Sequence, residues 1–198
     1  MITIVEIRDA LKCLAVGMEA CADELNTRDG ALGDGDLGVT MIRGCRQILE
    51  VVDGLPDDVG MAAMKCAQAF TKTSGSSYGT LLATGLMAIA KQKKGSTSID
   101  ESELSGLLQV VLEAMIARGK ASLGDKTLLD AVEAARQGIS NTEEPLETAI
   151  ASVKTALDEF RNRENKIGRA RIIAEKSVGL DDPGMIAFLR ILESLRTG

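Results

Sequence analysis

Three aspartates, Asp29, Asp34 and Asp36, fall within eight residues of a 198-residue chain, in the run Asp29-Gly-Ala-Leu-Gly-Asp34-Gly-Asp36-Leu-Gly38. Glycine stands at positions 30, 33, 35 and 38. Each glycine inside a helix costs roughly 1 kcal/mol relative to alanine, so the run is expected as a tight, backbone-exposed loop free to take positive φ. Carboxylates gathered this closely repel one another unless a cation sits among them. Hard divalent cations, Mg2+ above all, take oxygen ligands of this kind and complete their shell with water and phosphate oxygens. The expectation is a metal–phosphate site, with Asp29, Asp34 and Asp36 as ligands. The competing reading is an ordinary Asp-Gly turn. A calcium EF-hand fails on spacing, because its twelfth position would be Cys45 counted from Asp34 and Thr40 counted from Asp29. Neither a dinucleotide fingerprint nor a P-loop is present.

Further segments interrupt the apolar pattern. Thr73-Ser74-Gly75-Ser76-Ser77-Tyr78-Gly79 leads straight into an apolar stretch. Hydroxyls and unpartnered amides at a helix N-terminus make a ready anion site, although a plain cap explains the same residues. Arg118-Gly119-Lys120 and Gly124-Asp125-Lys126-Thr127-Leu128 read equally as a helix stop, a polar turn and a capped restart. In Gly168-Arg169-Ala170-Arg171, Arg169 offers a fork of donors to a phosphate. Asp182-Pro183, within Gly179-Leu180-Asp181-Asp182-Pro183-Gly184, is a good cap and first-turn pair.

The elements that must position these residues are helical. Ile4, Ile7, Leu11, Leu14, Ala15, Met18, Ala22 and Leu25 trace one helical face over 4–26. Further helices are expected from Leu37, from the Asp57/Asp58 cap to Phe70, from Ser76 to Lys93, from Ile99 to Arg118 and from Thr127 to Ile139. A seventh should run from a Thr142 cap, with Pro145 in its first turn, to Arg163, and an eighth from Pro183 to Leu195. Eight helices with short connections and no clear strand predict an all-α, up-and-down antiparallel bundle or barrel, as one domain over 1–198. Aromatics are only 2% of the chain, so the core must be Leu, Ile, Val, Ala and Met, which suits helix packing.

Composition excludes several functions. A net charge of −6 argues against nucleic acid as a partner. With no histidine, the chain can build neither a His-ligated zinc site nor a Ser-His-Asp triad nor a phosphohistidine. No apolar run reaches the ~18 residues of a membrane span, and no signal peptide opens the sequence. Cys13, Cys21, Cys45 and Cys66 lack paired spacing and read as reduced thiols of a cytoplasmic protein.

Taken in order, Asp-x4-Asp-Gly-Asp-x-Gly, Ser-Gly-x-x-Tyr-Gly, Arg-Gly-Lys-x3-Gly-Asp-Lys-Thr-Leu-x-Asp, Gly-Arg-Ala and Asp-Pro-Gly resemble the DhaL family, the nucleotide-binding subunit or domain of dihydroxyacetone kinases. The resemblance runs from Asp29 to the last helix. It implies an eight-helix barrel with ADP or ATP at one end. It further implies that Asp29, Asp34 and Asp36 hold two Mg2+ ions on the nucleotide phosphates, and that these residues with Arg169 form the catalytic set. Thr73, Ser74 and the backbone of Leu37, Gly38, Val39 and Thr40 would cradle the phosphates. Gly119, Thr127 and Leu128 would line the adenine side, while Arg169, Asp182, Pro183 and Gly184 would close over the nucleotide.

By the same resemblance, the chain donates a phosphoryl group to dihydroxyacetone or a related short ketose held covalently by a histidine of a DhaK-like partner. That division of labour fits a chain without histidine. The donor is either exchanging ATP or bound ADP recharged by a phosphotransferase-system protein, and a homodimer is left open. The family commonly carries His where this chain has Leu37, which puts the sugar and the donor scheme in question. Two alternatives stand beside this reading. One is a nucleotide-dependent regulatory or adaptor subunit without turnover. The other is the related nucleotide domain of fatty acid kinase, disfavoured because that domain usually opens a longer chain.

Overall fold

The computed structural model describes residues 1–72, 75–119, 121–140 and 142–197. Eight long helices follow one another: α1 (Ile4–Leu32), α2 (Leu37–Leu49), α3 (Val59–Thr71), α4 (Ser77–Gln92), α5 (Leu104–Gly119), α6 (Leu128–Gly138), α7 (Pro145–Phe160) and, after the single-turn α8 (Ala174–Ser177), α9 (Pro183–Ser194). Each long helix packs on the next in sequence, and α9 closes the ring against both α7 and α1. The expected up-and-down antiparallel barrel is therefore the fold.

Its interior is aliphatic, as the shortage of aromatics requires. Met18, Leu25, Met41, Leu129, Ile150, Val153 and Met185 are almost fully removed from solvent within one continuous cluster. Burying a side chain of this size stabilises the fold by about 1.5–3 kcal/mol. The rare Phe70 of α3 lies against Gly44 of α2, where an added Cβ would come within 2.2 Å of the ring.

Helix starts follow local chemistry. Asp58, not Asp57, caps α3 by accepting from the Met61 N–H at 2.8 Å. Asp182 caps α9 by accepting from Met185 at 2.9 Å, and Pro183 occupies the first turn. Pro145 likewise opens α7, but the cap position is Glu144, and Thr142 instead accepts from the Glu144 N–H two residues earlier.

Four expectations are corrected. α1 does not stop near residue 26 but continues through Leu32, so Asp29 and Gly30 are helical and the loop is confined to 33–36. Tertiary packing of α1, which rests on α2 and buries both Leu25 and Leu32, outweighs the propensity cost of one glycine. Two short strands do form, β1 (Ile2–Thr3) pairing antiparallel with β2 (Ser98–Ile99). Ile99 is thereby used in the strand, and α5 starts at Leu104 after a turn capped by Asp100. Finally, α7 ends at Phe160 rather than Arg163.

In an up-and-down ring, alternate connections share an end. The α1–α2, α3–α4, α5–α6 and α7–α9 connections thus lie together, opposite the β1–β2 pair. The segments singled out by composition are those four connections.

Candidate functional site

A hollow of about 1010 Å³ opens at this end, lined by residues from all four connections. At its polar side, Asp29, Asp34 and Asp36 each present a carboxylate oxygen, all within 4.8 Å of one another. The arrangement follows from the local fold. Asp29 projects from the last turn of α1, and its Oδ2 accepts from the Gly35 N–H at 2.9 Å and the Asp36 N–H at 3.0 Å. Gly35 makes the return possible with φ of +77°, a conformation that other residues rarely adopt. Asp36 then occupies the cap position of α2 without bonding the helix through its side chain, which leaves the carboxylate to face the other two.

Burial raises the pKa of Asp29, and the Asp34 and Asp36 charges add to that rise against the two amide bonds. Arg169, on the loop between α7 and α8, forms an ion pair with Asp34. Arg169 pairs with only one of the three carboxylates, and an all-oxygen donor set of this kind is the chemistry of a hard divalent ion. The residues fit Mg2+.

The remaining expected residues separate into groups. Leu37, Val39 and Thr40 line the hollow from the first turn of α2, where Leu37 is also part of the apolar cluster. Gly38 does not line it. A Cβ there would lie 2.1 Å from the Ala22 carbonyl oxygen, so Gly38 lets α2 approach α1 and thereby sets the distance between Asp36 and Asp29. Thr73 and Ser74 lie outside the described residues. Their neighbours Gly75, Ser76 and Ser77 reach the hollow at the N-terminus of α4, where Ser76 Oγ accepts from the Gly79 N–H at 3.0 Å.

On the apolar side stand Leu81, Met115, Gly119, Ala121 and Leu128, with Thr127 beside them. Thr127 caps α6, while Asp130 accepts from the Thr127 N–H at 2.8 Å and from the Gly124 N–H at 2.6 Å. Asp182, Pro183 and Gly184 form the remaining wall, and the Tyr78 hydroxyl donates to the Gly184 carbonyl at 3.2 Å. Burial pushes the Asp182 carboxyl up to about 6, against the bonds from Met185 and Asn165.

Several residues around the site were not legible as such in the sequence. Arg43 and Arg118 line the hollow from α2 and α5. Asn26 receives the Val39 N–H at 3.2 Å and steadies the start of α2. Arg43 sits one helical turn beyond Val39, a spacing that would have found it; Asn26 carries no such signal.

The arrangement matches a known domain. The DAK2 domain covers residues 31–197 of this chain. The chain belongs to the DAK2 domain family, as a DhaL-type member. It is 28% identical to the ADP-binding subunit DhaL of the PEP-dependent dihydroxyacetone kinase of Escherichia coli K12, over 88% of this chain and 87% of that one. It is 33% identical to human triokinase/FMN cyclase over 87% of this chain. It spans 31% of that protein's length. The dihydroxyacetone kinase of C. freundii shares the fold, with a TM-score of 0.78 at 21% identity over 96% of this chain and 34% of that one. Its complex with AMP-PNP and Mg2+ gives 0.76 at 20% identity, over 96% of this chain and 33% of that one. Among the described residues, no helix is long and apolar enough to cross a membrane.

Proposed function

We propose that this chain, as one domain over 1–198, is the nucleotide-binding, phosphoryl-donating part of a kinase acting on dihydroxyacetone or a similar short ketose. The observation that carries the reading is the convergence of Asp29, Asp34 and Asp36 at the polar side of a hollow whose other side is apolar. A nucleotide has that polarity, with charged phosphates at one end and a flat base at the other. The family relatives named for dihydroxyacetone kinases and triokinase support the acceptor class.

In this account Asp29, Asp34 and Asp36 hold two Mg2+ ions, which when bound neutralise the phosphates of ADP or ATP and the charge on the transferring group. Asp29 is fixed by its two amide bonds, so its carboxylate is preorganised. The first turns of α2 and α4 direct N–H groups toward the phosphates, with Thr73 and Ser74 completing that cradle. Arg169 binds phosphoryl oxygens as a bidentate donor and stabilises charge in the transition state. Leu128, Gly119 and Thr127 receive the base, while the Asp182-Pro183-Gly184 turn packs over it.

No histidine is available to hold a sugar covalently, so the acceptor belongs to a DhaK-like partner, and phosphoryl transfer is completed in the complex. The donor is ATP or a phosphotransferase-system protein recharging bound ADP, and the reaction takes place in the cytoplasm. The test is phosphorylation of dihydroxyacetone by this chain with a DhaK-like subunit, supplied in turn with ATP and with a phosphotransferase-system donor. Product in either arm supports the reading. Mg-nucleotide binding without product in any arm would favour the adaptor role.

A further inference from the structure

The chemistry of the hollow does not use Lys126, although this side chain is the largest of the fully buried ones, at 0% exposure. Its backbone has φ of +60°, the one positive value among the described non-glycine residues. The Nζ donates to three backbone carbonyls: Arg161 at 3.0 Å, Arg163 at 2.8 Å and Ser177 at 2.7 Å. Those three bonds use every hydrogen of the ammonium. Two acceptors lie where the chain leaves α7, and the third lies where it returns toward α9.

Other bonds tie the same two limbs together. The Asn165 N–H donates to Ser177 Oγ at 2.8 Å, and the Gly179 N–H donates to the Arg161 carbonyl at 2.9 Å. Asn165 Nδ2 reaches both the Lys126 carbonyl at 2.8 Å and Asp182 Oδ2 at 2.7 Å. Asn165 and Ser177 are as buried as Lys126. Between them most of the chain is exposed, with Ile172 at 79% exposure, while Ala170 is buried and Ile167 packs on the core; the segment carries Arg169 to its ion pair with Asp34. A buried base, in which the Lys126 ammonium is fully bonded and Asn165 Oδ1 alone of these side-chain atoms is without a partner, thus supports a more exposed flap. Burial lowers the pKa of Lys126, and the nearby Asp182 and Asp181 charges oppose that shift.

We propose that Lys126 is a positioning residue, a tethered cation that shuts the base of a flap formed by residues 165–177 and so sets Arg169 over the three carboxylates. Three carbonyl oxygens around one positive charge is the complete hydrogen-bond set of a primary ammonium, here supplied by the chain itself. The consequence for phosphoryl transfer rests on the nucleotide reading above; the closure of the flap does not.

The experiment compares the whole chain with Lys126→Gly, which tolerates the +60° backbone, and Lys126→Met, which fills the same space without charge. Tryptic cleavage after Arg169, Arg171 and Lys176 is followed by mass spectrometry without nucleotide, in sodium, potassium or butylammonium chloride, at a temperature where circular dichroism shows the chain folded. Both variants should be cut in the flap roughly tenfold faster than wild type in sodium, because cleavage tracks the open population. Potassium or butylammonium should restore protection to Lys126→Gly but not to Lys126→Met. A Lys126→Gly variant that folds only when one of those cations is added, together with a Lys126→Met variant that is unfolded, would show a fold-wide role and overturn the proposal.

Wild-type cleavage rates in the folded variants would overturn it. So would acceleration spread evenly along the chain, or a Lys126→Gly variant that no cation protects. Titration with Mg-ADP adds a second reading, where affinity should follow flap protection. If wild type binds no Mg-ADP, the nucleotide assignment fails while the cleavage pattern still decides the role of Lys126.

Discussion

At the end of the ring away from the hollow, several carboxylates are bound into the fold. Asp58 accepts from the Met61 and Gly95 amides, joining the start of α3 to the end of α4, and Lys93 pairs with Glu103 at 2.9 Å. Asp100 and Glu103 cap each other's turn, and β1 lies on β2. At the hollow end the same residue types are spent differently. Asp36 holds a cap position without capping, and Asp29, Asp34 and Asp36 face one another, with Arg169 paired to Asp34. The hollow end has capping carboxylates too, in Asp130 and Asp182, but adds a cluster of three that holds charge for a ligand. What separates the two groups is their company: Asp29 and Asp58 each accept two backbone amides, but only Asp29 has two further carboxylates beside it.

The comparison can be broken most directly at Asp34. Replacing it with Asn should lower Mg-ADP affinity by about 100-fold or more, since a ligand is worth at least as much as the groups that orient it. Its melting temperature should stay near that of wild type, because the side chain is exposed and repels its neighbours. A variant that melts early but binds normally would place Asp34 with the structural carboxylates.

Gly38→Ala should affect both properties, because its Cβ would strike the Ala22 carbonyl oxygen. We expect a loss of about 1–3 kcal/mol in urea unfolding together with weakened binding, as α2 and Asp36 move away from Asp29. Retained stability and affinity would show that the α1–α2 spacing is not what sets the carboxylate separation.

Asp182 sharpens the contrast through pH. Its folded pKa of about 6 lies above the unfolded value of roughly 3.9, so its contribution is full below the unfolded value and is lost as pH rises through 6. Asp182→Asn lacks that loss. Between pH 4.5 and 7 its stability relative to wild type should improve by about 1–2 kcal/mol, read from paired urea midpoints. Parallel pH profiles would mean that Asp182 is not held in a proton-favouring environment. The smallest effect belongs to the far end. Asp58→Ala should cost about 1 kcal/mol of stability, the value of a cap, and leave Mg-ADP affinity unchanged.

Much of this architecture was legible from spacing. The apolar faces gave every long helix, because 3.6-residue periodicity survives without knowledge of partners. Asp58 and Asp182-Pro183 marked helix starts through chemistry local to a few residues. The end of α1 differs for the complementary reason, since Leu25 and Leu32 are buried by tertiary packing that no local pattern records. The carboxylates could be read because glycine and aspartate alternate over one short stretch. Lys126 could not, since its three acceptors lie more than thirty residues away. Gly38 was expected beside phosphate, yet its lack of a side chain is used against the Ala22 carbonyl.

The central claim is that Asp29, Asp34 and Asp36 form one metal–nucleotide site. Its most direct test is calorimetric titration of the metal-stripped chain with ADP, with and without Mg2+. The account predicts heat of binding only when Mg2+ is present. Equal binding without Mg2+, or none under either condition, would contradict it.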